Sequence, residues 1–179
     1  MNHLYHFSDD PHITCFEPRP SPNPSVKVDG NVVFAVGEHT MVNFLLPREC
    51  PRVTFYALPE SKPENVARLL NGSRYVIAIE SGWLERVMHG RIHCYTLPAD
   101  TFTIWDQGAG YYVSYQPVTP LAMRTIDNLL LELANHYVEI RILPSLWPLF
   151  DAVVDSSLQF SMIRMRNAQP RTTDEEKSG

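Results

Sequence analysis

The first residues that could do chemistry stand near the start of the sequence, in Tyr5-His6-Phe7-Ser8. If this segment is a strand, the two-residue side-chain period places His6 and Ser8 on one face, with Tyr5 and Phe7 on the other. A neutral imidazole and a hydroxyl group side by side can bind a ribose or an amide. The alternative is a histidine whose hydrogen bonds are satisfied at a strand end. His6 and Ser8 are therefore candidate ligand-binding residues.

Arginine side chains give the second signal. Arg164 and Arg166 lie two residues apart in a predicted strand, and two guanidinium groups on one strand face can clamp a carboxylate or a phosphate. Arg19, within a proline-rich segment, is a third candidate for binding a ligand. The alternative is a solvated face whose arginines pair with acidic residues, for which Asp9-Asp10 are available partners.

Motifs for metal binding and for the common catalytic chemistries are missing. His89 and His93 are four residues apart, but Gly90 interrupts the helix that would bring them to one face. No H-E-x-x-H motif and no paired cysteines occur, so we expect no metal site. The nucleophile-elbow pattern, the dinucleotide-binding glycine fingerprint and the Walker phosphate loop are also missing.

Composition limits the class of protein. The chain has 179 residues, of which 44% are hydrophobic and 20% charged, and a formal net charge of −5. This balance fits a folded domain and argues against a partner that is a nucleic acid. No apolar run is long enough to span a membrane, and residues 1–10 do not resemble a signal peptide. Three cysteines at long spacings favour buried thiols in a reducing compartment, so we expect a cytoplasmic protein.

The hydrophobic pattern predicts about seven to nine strands and four or five helices. Strands are indicated at residues 3–8, 32–36, 53–58, 75–80, 92–97, 102–105, 111–116, 137–143 and 160–166. Helices are indicated at residues 38–46, 61–70, 83–89, 119–135 and 145–157. The helix at 61–70 has the clearest signals, a capping box at Ser61-Lys62-Pro63-Glu64 and a stop at Asn71-Gly72. Because regular strand–helix alternation fails twice, the pattern favours an α+β fold with a mixed or antiparallel sheet.

Two segments are predicted to lack regular structure. Residues 16–25 contain four prolines, which predict a stiff extended loop. From Asn167 onward the sequence is polar and charged. We therefore expect one domain over residues 1–168 and a disordered tail over residues 169–179.

Four stretches resemble an uncharacterised bacterial family known only as a domain of unknown function. They are LYHFSDDPHITCFEPRP (residues 4–20), FLLPRECPRV (44–53), PSLWPLFDAVVDSSLQFS (144–161) and IRMRNA (163–168). The resemblance extends over nearly the whole length of the chain that is predicted to be ordered. The resemblance implies no particular activity.

The opening of the chain also resembles the ADP-ribosyltransferase superfamily. Members begin with a strand bearing His-x-Ser or His-x-Thr, followed by a proline-containing stretch, a strand and a short helix. The resemblance implies that His6 and Ser8 hold the nicotinamide ribose of NAD. It also implies a glutamate on a late strand, for which Glu139 is the candidate by position. Tyr56 and Tyr95 are rival candidates for the superfamily's central tyrosine.

Two functional hypotheses follow from these residues. The first is a site for a small molecule or nucleotide at His6, Ser8, Arg19, Arg164 and Arg166; its sharpest form is NAD-dependent ADP-ribosyl transfer with Glu139 as the catalytic residue. The second is a non-catalytic binding or protein-interaction domain, suggested by the proline-rich segment. The sequence leaves open the ligand, the oligomeric state and whether the protein is an enzyme.

Overall fold

The chain divides into two compact units. The first comprises Met1–Arg48 and His89–Glu132, and the second comprises Glu49–Met88 and Leu133–Gly179. A computed structural model of the protein describes residues 3–21 and 28–171. Each unit contains its own β-sheet.

Ten strands and four α-helices occur among the described residues. The strands are β1 (His3–Ser8), β2 (Val33–Val36), β3 (Arg52–Tyr56), β4 (Tyr75–Glu80), β5 (Ile92–Pro98), β6 (Thr103–Asp106), β7 (Tyr111–Ser114), β8 (Ala122–Ile126), β9 (Val138–Leu143) and β10 (Gln159–Ile163). The α-helices are α1 (Pro63–Asn65), α2 (Leu84–Met88), α3 (Leu129–Asn135) and α4 (Trp147–Val154). Short 3-10 turns occur at Met41–Phe44, Ser81–Trp83 and Met165–Asn167, and a π-helical turn at Val66–Leu70.

The first unit is built on a six-stranded sheet in the order β6-β7-β2-β1-β5-β8. All neighbouring strands in it run antiparallel. One face carries an apolar cluster, formed by Leu4, Phe16, Val33, Ala35, Tyr95, Leu97 and Val118. Phe16 and Arg19 of the proline-rich segment make single antiparallel bridges to Val118 and Val32. The described part of the predicted extended loop is therefore tied to this unit by backbone hydrogen bonds, and its residues 22–25 lie outside the described residues.

The second unit has a four-stranded sheet in the order β10-β3-β4-β9. β4 and β9 run parallel and the other pairs antiparallel, so this sheet is mixed. All six residues of β4 are buried, because the strand is central and its apolar run fills both faces. The core cluster of this unit comprises Val53, Phe55, Leu69, Leu70, Val76, Ala78, Leu146, Val153 and Leu158.

The predicted α+β class, with mixed and antiparallel strand pairing and four helices, is confirmed. The strand count was underestimated, since ten strands are found instead of about seven to nine. The strands also form two sheets where the sequence suggested one. Most predicted strands are present with ends that differ by one to three residues, and β1 and β4 have the predicted bounds.

The helix predicted at residues 38–46 is wrong. The segment forms only a 3-10 turn at Met41–Phe44. Met41, Val42, Leu45 and Leu46 are all buried, so the apolar spacing that resembled one face of a helix fills the core from several sides. Packing against neighbouring elements has overridden the local helical signal.

The long helix predicted at residues 119–135 is also wrong. Its first half is the strand β8, which pairs with β5 at five positions, and only α3 is helical. The side chain of Asn128 accepts a hydrogen bond from the Leu131 N–H at 3.0 Å and so caps the helix. Leu121, within the predicted helix, is 58% exposed. Pairing with β5 explains why this half of the segment is extended.

The helix predicted at residues 61–70 begins and ends as expected, but its capping box is not formed. Pro63 occupies the first turn, and Asn71 and Gly72 end the π-helical turn with φ values of +46° and +92°. The Ser61 hydroxyl does not cap the helix; it accepts a hydrogen bond from Leu58 N–H and donates one to the Ser157 carbonyl. Ser61 thus joins two distant parts of the chain.

The first three residues of the predicted tail, 169–171, are among the described residues. The buried Glu80 carboxylate and the indole of Trp147 bind the backbone of Gln169, and Arg171 forms an ion pair with Asp151. Residues 172–179 lie outside the described residues. The domain boundary at residue 168 stays a prediction.

The close packing of Gly110 against Thr40 can be tested by substitution. Its φ is +66°, and an added Cβ would lie 2.9 Å from Thr40 Cγ2 and closer still to Thr40 Oγ1. Thr40 is buried and cannot move aside easily. Gly110→Ala should therefore lower the free energy of unfolding in urea by about 2–5 kcal/mol, from left-handed strain and overpacking together.

Gly30→Ala is the matched control for this prediction. Gly30 has a φ of +76°, but nothing lies within 4 Å of a Cβ placed there. Its alanine variant should lose only the conformational part, about 1–2 kcal/mol. Equal losses in the two variants would contradict the packing of Thr40 against Gly110.

Candidate functional site

The middle of the first sheet has an incomplete strand pairing. β1 pairs with β5 at six positions but with β2 at a single position, Tyr5 opposite Val36. Gly37 N–H donates to the Gly110 carbonyl on the β7 side, so alternation directs the backbone groups of Val36 and Phe34 toward β1. Phe7 would be the next residue to pair, with Phe34, and this pair is not formed among the described strands. We call the space between Phe7 and Phe34 the β1–β2 gap.

The imidazole of His6 hydrogen-bonds to a backbone carbonyl group at the gap, that of Phe34. His6 Nδ1 donates to the Phe34 carbonyl oxygen at 2.8 Å. A carbonyl only accepts, so Nδ1 carries the proton and the neutral ring has its lone pair on Nε2. Burial lowers the pKa of His6 below its usual value, and the charges of Arg19 and Arg48 lower it further, against the opposing effect of the Phe34 bond. At neutral pH, His6 therefore presents an acceptor at Nε2.

Two aromatic residues hold the His6 ring in place. The Phe16 ring lies 4.6 Å from the His6 ring, and the Tyr95 ring meets Phe16 edge-on at 5.2 Å. The Tyr95 hydroxyl donates to the Asp10 carbonyl at 2.7 Å and accepts from Ile13 N–H at 3.1 Å. The loop that follows β1 is thereby fixed against β5. The side chain of Phe16 thus contacts the His6 ring, and the side chain of Tyr95 on β5 supports Phe16.

Ser8 shares its face of the sheet with His6, as the two-residue period predicts. Its hydroxyl oxygen accepts a hydrogen bond from Asp10 N–H at 3.1 Å, and the hydroxyl proton is left to donate elsewhere. The residue opposite Ser8 on β5 is His93, which is buried and whose Nδ1 lies 3.0 Å from Thr125 Oγ1. Ser8 and His6 therefore form a polar pair beside a second histidine.

Aromatic rings cover the other face of the sheet at the β1–β2 gap. Phe7 stacks on Phe44 with centroids 6.1 Å apart, and Phe44 meets Tyr111 edge-on at 6.0 Å. Phe34 meets both Tyr111 and Trp105 edge-on. These five rings are only partly buried, so the two residues that border the gap belong to an accessible aromatic surface.

Arg19 lies in the same unit as His6 and Ser8. Its backbone bridges to Val32, while its side chain is exposed and lies near enough to lower the pKa of His6. The structure therefore brings together three of the predicted ligand-binding residues within the first unit. Arg48, which also acts on His6, was not among the predicted site residues.

Arg164 and Arg166 belong to the second unit and do not share a strand face. β10 ends at Ile163, Arg164 has a φ of +55°, and Arg166 lies in the following 3-10 turn. Both guanidinium groups bind the Glu49 carboxylate, at 3.2 and 3.1 Å. The prediction that Arg164 and Arg166 lie on one face of a strand is therefore wrong, because β10 ends at Ile163, one residue before Arg164. A role for these residues in ligand binding stays a prediction.

Glu139 also belongs to the second unit, on β9. Its carboxylate accepts hydrogen bonds from Arg141 Nε at 2.7 Å and from the Ser73 hydroxyl. Arg141 lowers the pKa of Glu139, burial opposes this, and the Ser73 bond lowers it again. Both carboxylate oxygens are thus engaged within the unit, and the catalytic role predicted for Glu139 stays a prediction.

The two rival candidates for the central tyrosine lie in different units. Tyr95 supports His6, whereas Tyr56 stacks on Tyr75 in the second unit with centroids 4.9 Å apart.

Burial raises the pKa values of Cys50 and Cys94 to about 11, which keeps both thiols protonated and poorly reactive. Within residues 3–21 and 28–171, no three His, Cys, Asp or Glu side chains are grouped so that they could hold a metal ion.

An open cleft of about 580 Å³ lies beside Tyr95 in the first unit. Five of its eight lining residues are apolar or proline. The lining comprises Pro11, His12, Ile13, Thr14, Tyr95, Pro120, Ala122 and Met123. The cleft offers apolar contact and few groups for orienting a polar ligand.

The fold and site together describe an α+β protein with a polar pair beside a gap in an antiparallel sheet. Residues 5–168 match the family model described as a family of unknown function (DUF6886), and the chain belongs to that family. The predicted resemblance to an uncharacterised domain is thereby confirmed. No curated protein and no solved structure matches the chain. In the described part of the chain, every helix is too short or too polar to cross a membrane.

The sequence singles out His6 and Ser8 as candidates but does not indicate the groups that contact them. The Phe34 carbonyl is a backbone atom and has no sequence signal at all. Phe16 and His93 carry only general signals, an aromatic residue before a proline and a histidine in a strand. Their positions depend on pairing between residues far apart in the chain.

Tyr95 provides a test of how the loop after β1 is held. Tyr95→Phe removes a hydroxyl that binds both Asp10 and Ile13, and the residue is 1% exposed. The variant should lose about 1–3 kcal/mol of unfolding free energy in urea, because two backbone groups lose their partner. Tyr115→Phe, at a side chain that is 58% exposed, should change stability by less than about 0.5 kcal/mol. A loss of the same size at both positions would contradict the assigned role of Tyr95.

Glu139 provides a test through pH. Since its folded pKa is lowered, its charge stabilises the fold above the unfolded pKa of about 4.3, and this contribution disappears as the pH falls through the folded value. Glu139→Gln should therefore reduce unfolding free energy at pH 7 by up to about 1 kcal/mol, a small effect because the side chain is partly exposed.

The difference between wild type and Glu139→Gln should shrink toward zero in urea titrations below about pH 4. Glu60→Gln, at an exposed position, serves as the control. A difference that stays constant or grows as the pH falls would contradict the ion pair with Arg141.

Proposed function

We propose that the first unit binds NAD or a related nicotinamide or ADP-ribose compound at the β1–β2 gap. One observation carries the proposal: His6 Nδ1 donates to the Phe34 carbonyl, which places a fixed, neutral imidazole beside the β1–β2 gap. Among the described residues, Phe7 pairs with Cys94 on β5 but has no partner on β2. The resemblance of the opening residues to the ADP-ribosyltransferase superfamily supports the same ligand.

The groups around the gap suit the two polar parts of a nicotinamide riboside. A ribose hydroxyl would donate to His6 Nε2, and the Ser8 hydroxyl would donate to a ribose oxygen. The Phe7 backbone faces the gap by strand alternation, and its N–H and C=O would bind a carboxamide in the way that a neighbouring strand binds.

Charge at the site suits a pyrophosphate. Arg19 is exposed and, with Arg48, acts on His6 through its positive charge. A guanidinium group binds phosphate oxygens in a bidentate manner. Arg19 would therefore hold the anionic part of the ligand while His6 and Ser8 hold the ribose.

The proposal covers binding and leaves the transfer step as a prediction. NAD would supply an activated bond between nicotinamide and ribose. Within the first unit, His6, Ser8 and Arg19 would bind and orient the ligand, and none is a carboxylate. Glu139, the predicted catalytic residue, has its carboxylate bound by Arg141 and Ser73 in the second unit.

A protein-interaction domain is the second candidate, and the open cleft beside Tyr95 favours it. Met123 of its lining is 40% exposed, and Leu121, which lies between the lining residues Pro120 and Ala122 in sequence, is 58% exposed. Such surface is unusual on an isolated domain and common at partner contacts. This candidate predicts no stabilisation by nucleotides.

A thermal-shift titration with NAD, ADP-ribose, nicotinamide and AMP tests the proposal. Ligand at about 100 times Kd should stabilise the fold by about 2.7 kcal/mol. His6→Asn is the sharpest variant, because the asparagine amide can replace Nδ1 as the donor to Phe34 while the acceptor at Nε2 is lost. Its affinity for NAD should fall at least about tenfold, or 1.4 kcal/mol, with little change in stability of the free protein.

His3→Ala is the matched control for His6→Asn. His3 is an exposed histidine of the same strand, three residues away and on the opposite face. Its variant should bind NAD as wild type does. The proposal is wrong if none of the four compounds stabilises the wild-type protein, or if His6→Asn binds NAD with unchanged affinity.

A further inference from the structure

A buried carboxylate in the second unit binds the end of the described chain. Glu80 is the last residue of β4 and is 1% exposed. Its Oε1 accepts hydrogen bonds from Leu146 N–H at 3.2 Å and Gln169 N–H at 3.1 Å. Its Oε2 accepts from the same Gln169 N–H at 2.9 Å. A buried charge needs such donors, so the contact with Gln169 supports the carboxylate directly.

The other backbone group of Gln169 is bound as well. Trp147, the first residue of α4, donates from its indole Nε1 to the Gln169 carbonyl at 2.6 Å. One residue therefore has its N–H bound by Glu80 and its C=O bound by Trp147. Pairing of both groups of a single residue is how an extended peptide is recognised at a protein surface.

The side chain of Arg171 completes the contact. Its guanidinium lies 4.5 Å from the Trp147 ring centroid and 5.7 Å from that of Phe150. It also binds both oxygens of Asp151, at 2.7 and 3.3 Å. Stacking and bidentate pairing together select arginine over lysine. Pro170 between the two anchor residues fixes φ and so favours the extended form.

We propose that Glu80, Trp147, Phe150 and Asp151 form a peptide-binding groove for an extended Gln-Pro-Arg segment. We call it the Glu80–α4 groove. The chain fills it with its own residues 169–171, the C-terminal strap. The four groove residues lie within residues 5–168, which match the family model. In this proposal the strap is a ligand held in cis, which a peptide of the same sequence displaces or replaces.

Two full-length variants test the backbone contact. Gln169→Pro removes the N–H that Glu80 binds, and Ala168, with φ −69° and ψ 160°, already has a conformation that tolerates a following proline. Gln169→Ala removes the same side chain but keeps the N–H. Gln169→Pro should lower Tm by about 3 °C or more, and Gln169→Ala by less than about 1 °C.

A peptide added in trans tests whether the groove recognises the segment. The probe is a synthetic peptide with the sequence of residues 167–172, and the control is the same peptide with Arg171→Ala. By calorimetry, the wild-type peptide should bind the Gln169→Pro protein at least tenfold more tightly than wild-type protein, whose groove is filled by the strap. The control peptide should bind at least tenfold more weakly to the variant.

Three results would overturn the proposal. They are equal Tm values for Gln169→Pro and Gln169→Ala, no binding of the peptide to the Gln169→Pro protein, and equal affinity of the two peptides. If Gln169→Pro is too unstable for titration, Arg171→Ala replaces it as the protein, with the same expectations for both peptides. None of these outcomes depends on whether the first unit binds NAD.

Discussion

The hydrogen bond from His6 Nδ1 to the Phe34 carbonyl is the interaction on which the first unit's site depends. It engages the Phe34 carbonyl at the place where the ladder between β1 and β2 is limited to the pair Tyr5 and Val36. It fixes the neutral tautomer, and burial keeps the ring uncharged. This hydrogen bond thus sets the chemical character of the group beside the β1–β2 gap.

The candidate site residues of the two units differ in how many of their hydrogen-bonding atoms are bound within the fold. In the second unit, Glu139 is bound by Arg141 and Ser73, Glu49 binds two arginines, and Glu80 receives backbone N–H groups. These contacts hold strands and the chain end together, and they explain why predicted site residues there have structural partners. In the first unit, one hydrogen bond within the fold is shown for each of His6 and Ser8. The proposed function assigns the ligand to their remaining hydrogen-bonding atoms.

The strands were predictable from sequence because alternation and apolar runs are local. β1 and β4 have the expected bounds, and the period of β1 places His6 and Ser8 on one face. The helix at residues 38–46 and the long helix at 119–135 were mispredicted, since core packing in one case and pairing with β5 in the other decided the conformation. The Phe34 carbonyl and the binding of Glu80 to Gln169 could not be predicted, because both join backbone atoms to residues distant in sequence.

The tautomer and titration of His6, measured by long-range proton–nitrogen NMR correlation on labelled protein, test the role of the His6–Phe34 hydrogen bond. We expect a neutral ring with the proton on Nδ1, a pKa below the usual value of about 6.5, and a shift of the Nε2 resonance on adding NAD. A proton on Nε2 in the neutral ring, or a pKa at or above about 6.5, would contradict it. So would an Nε2 resonance that NAD leaves unchanged.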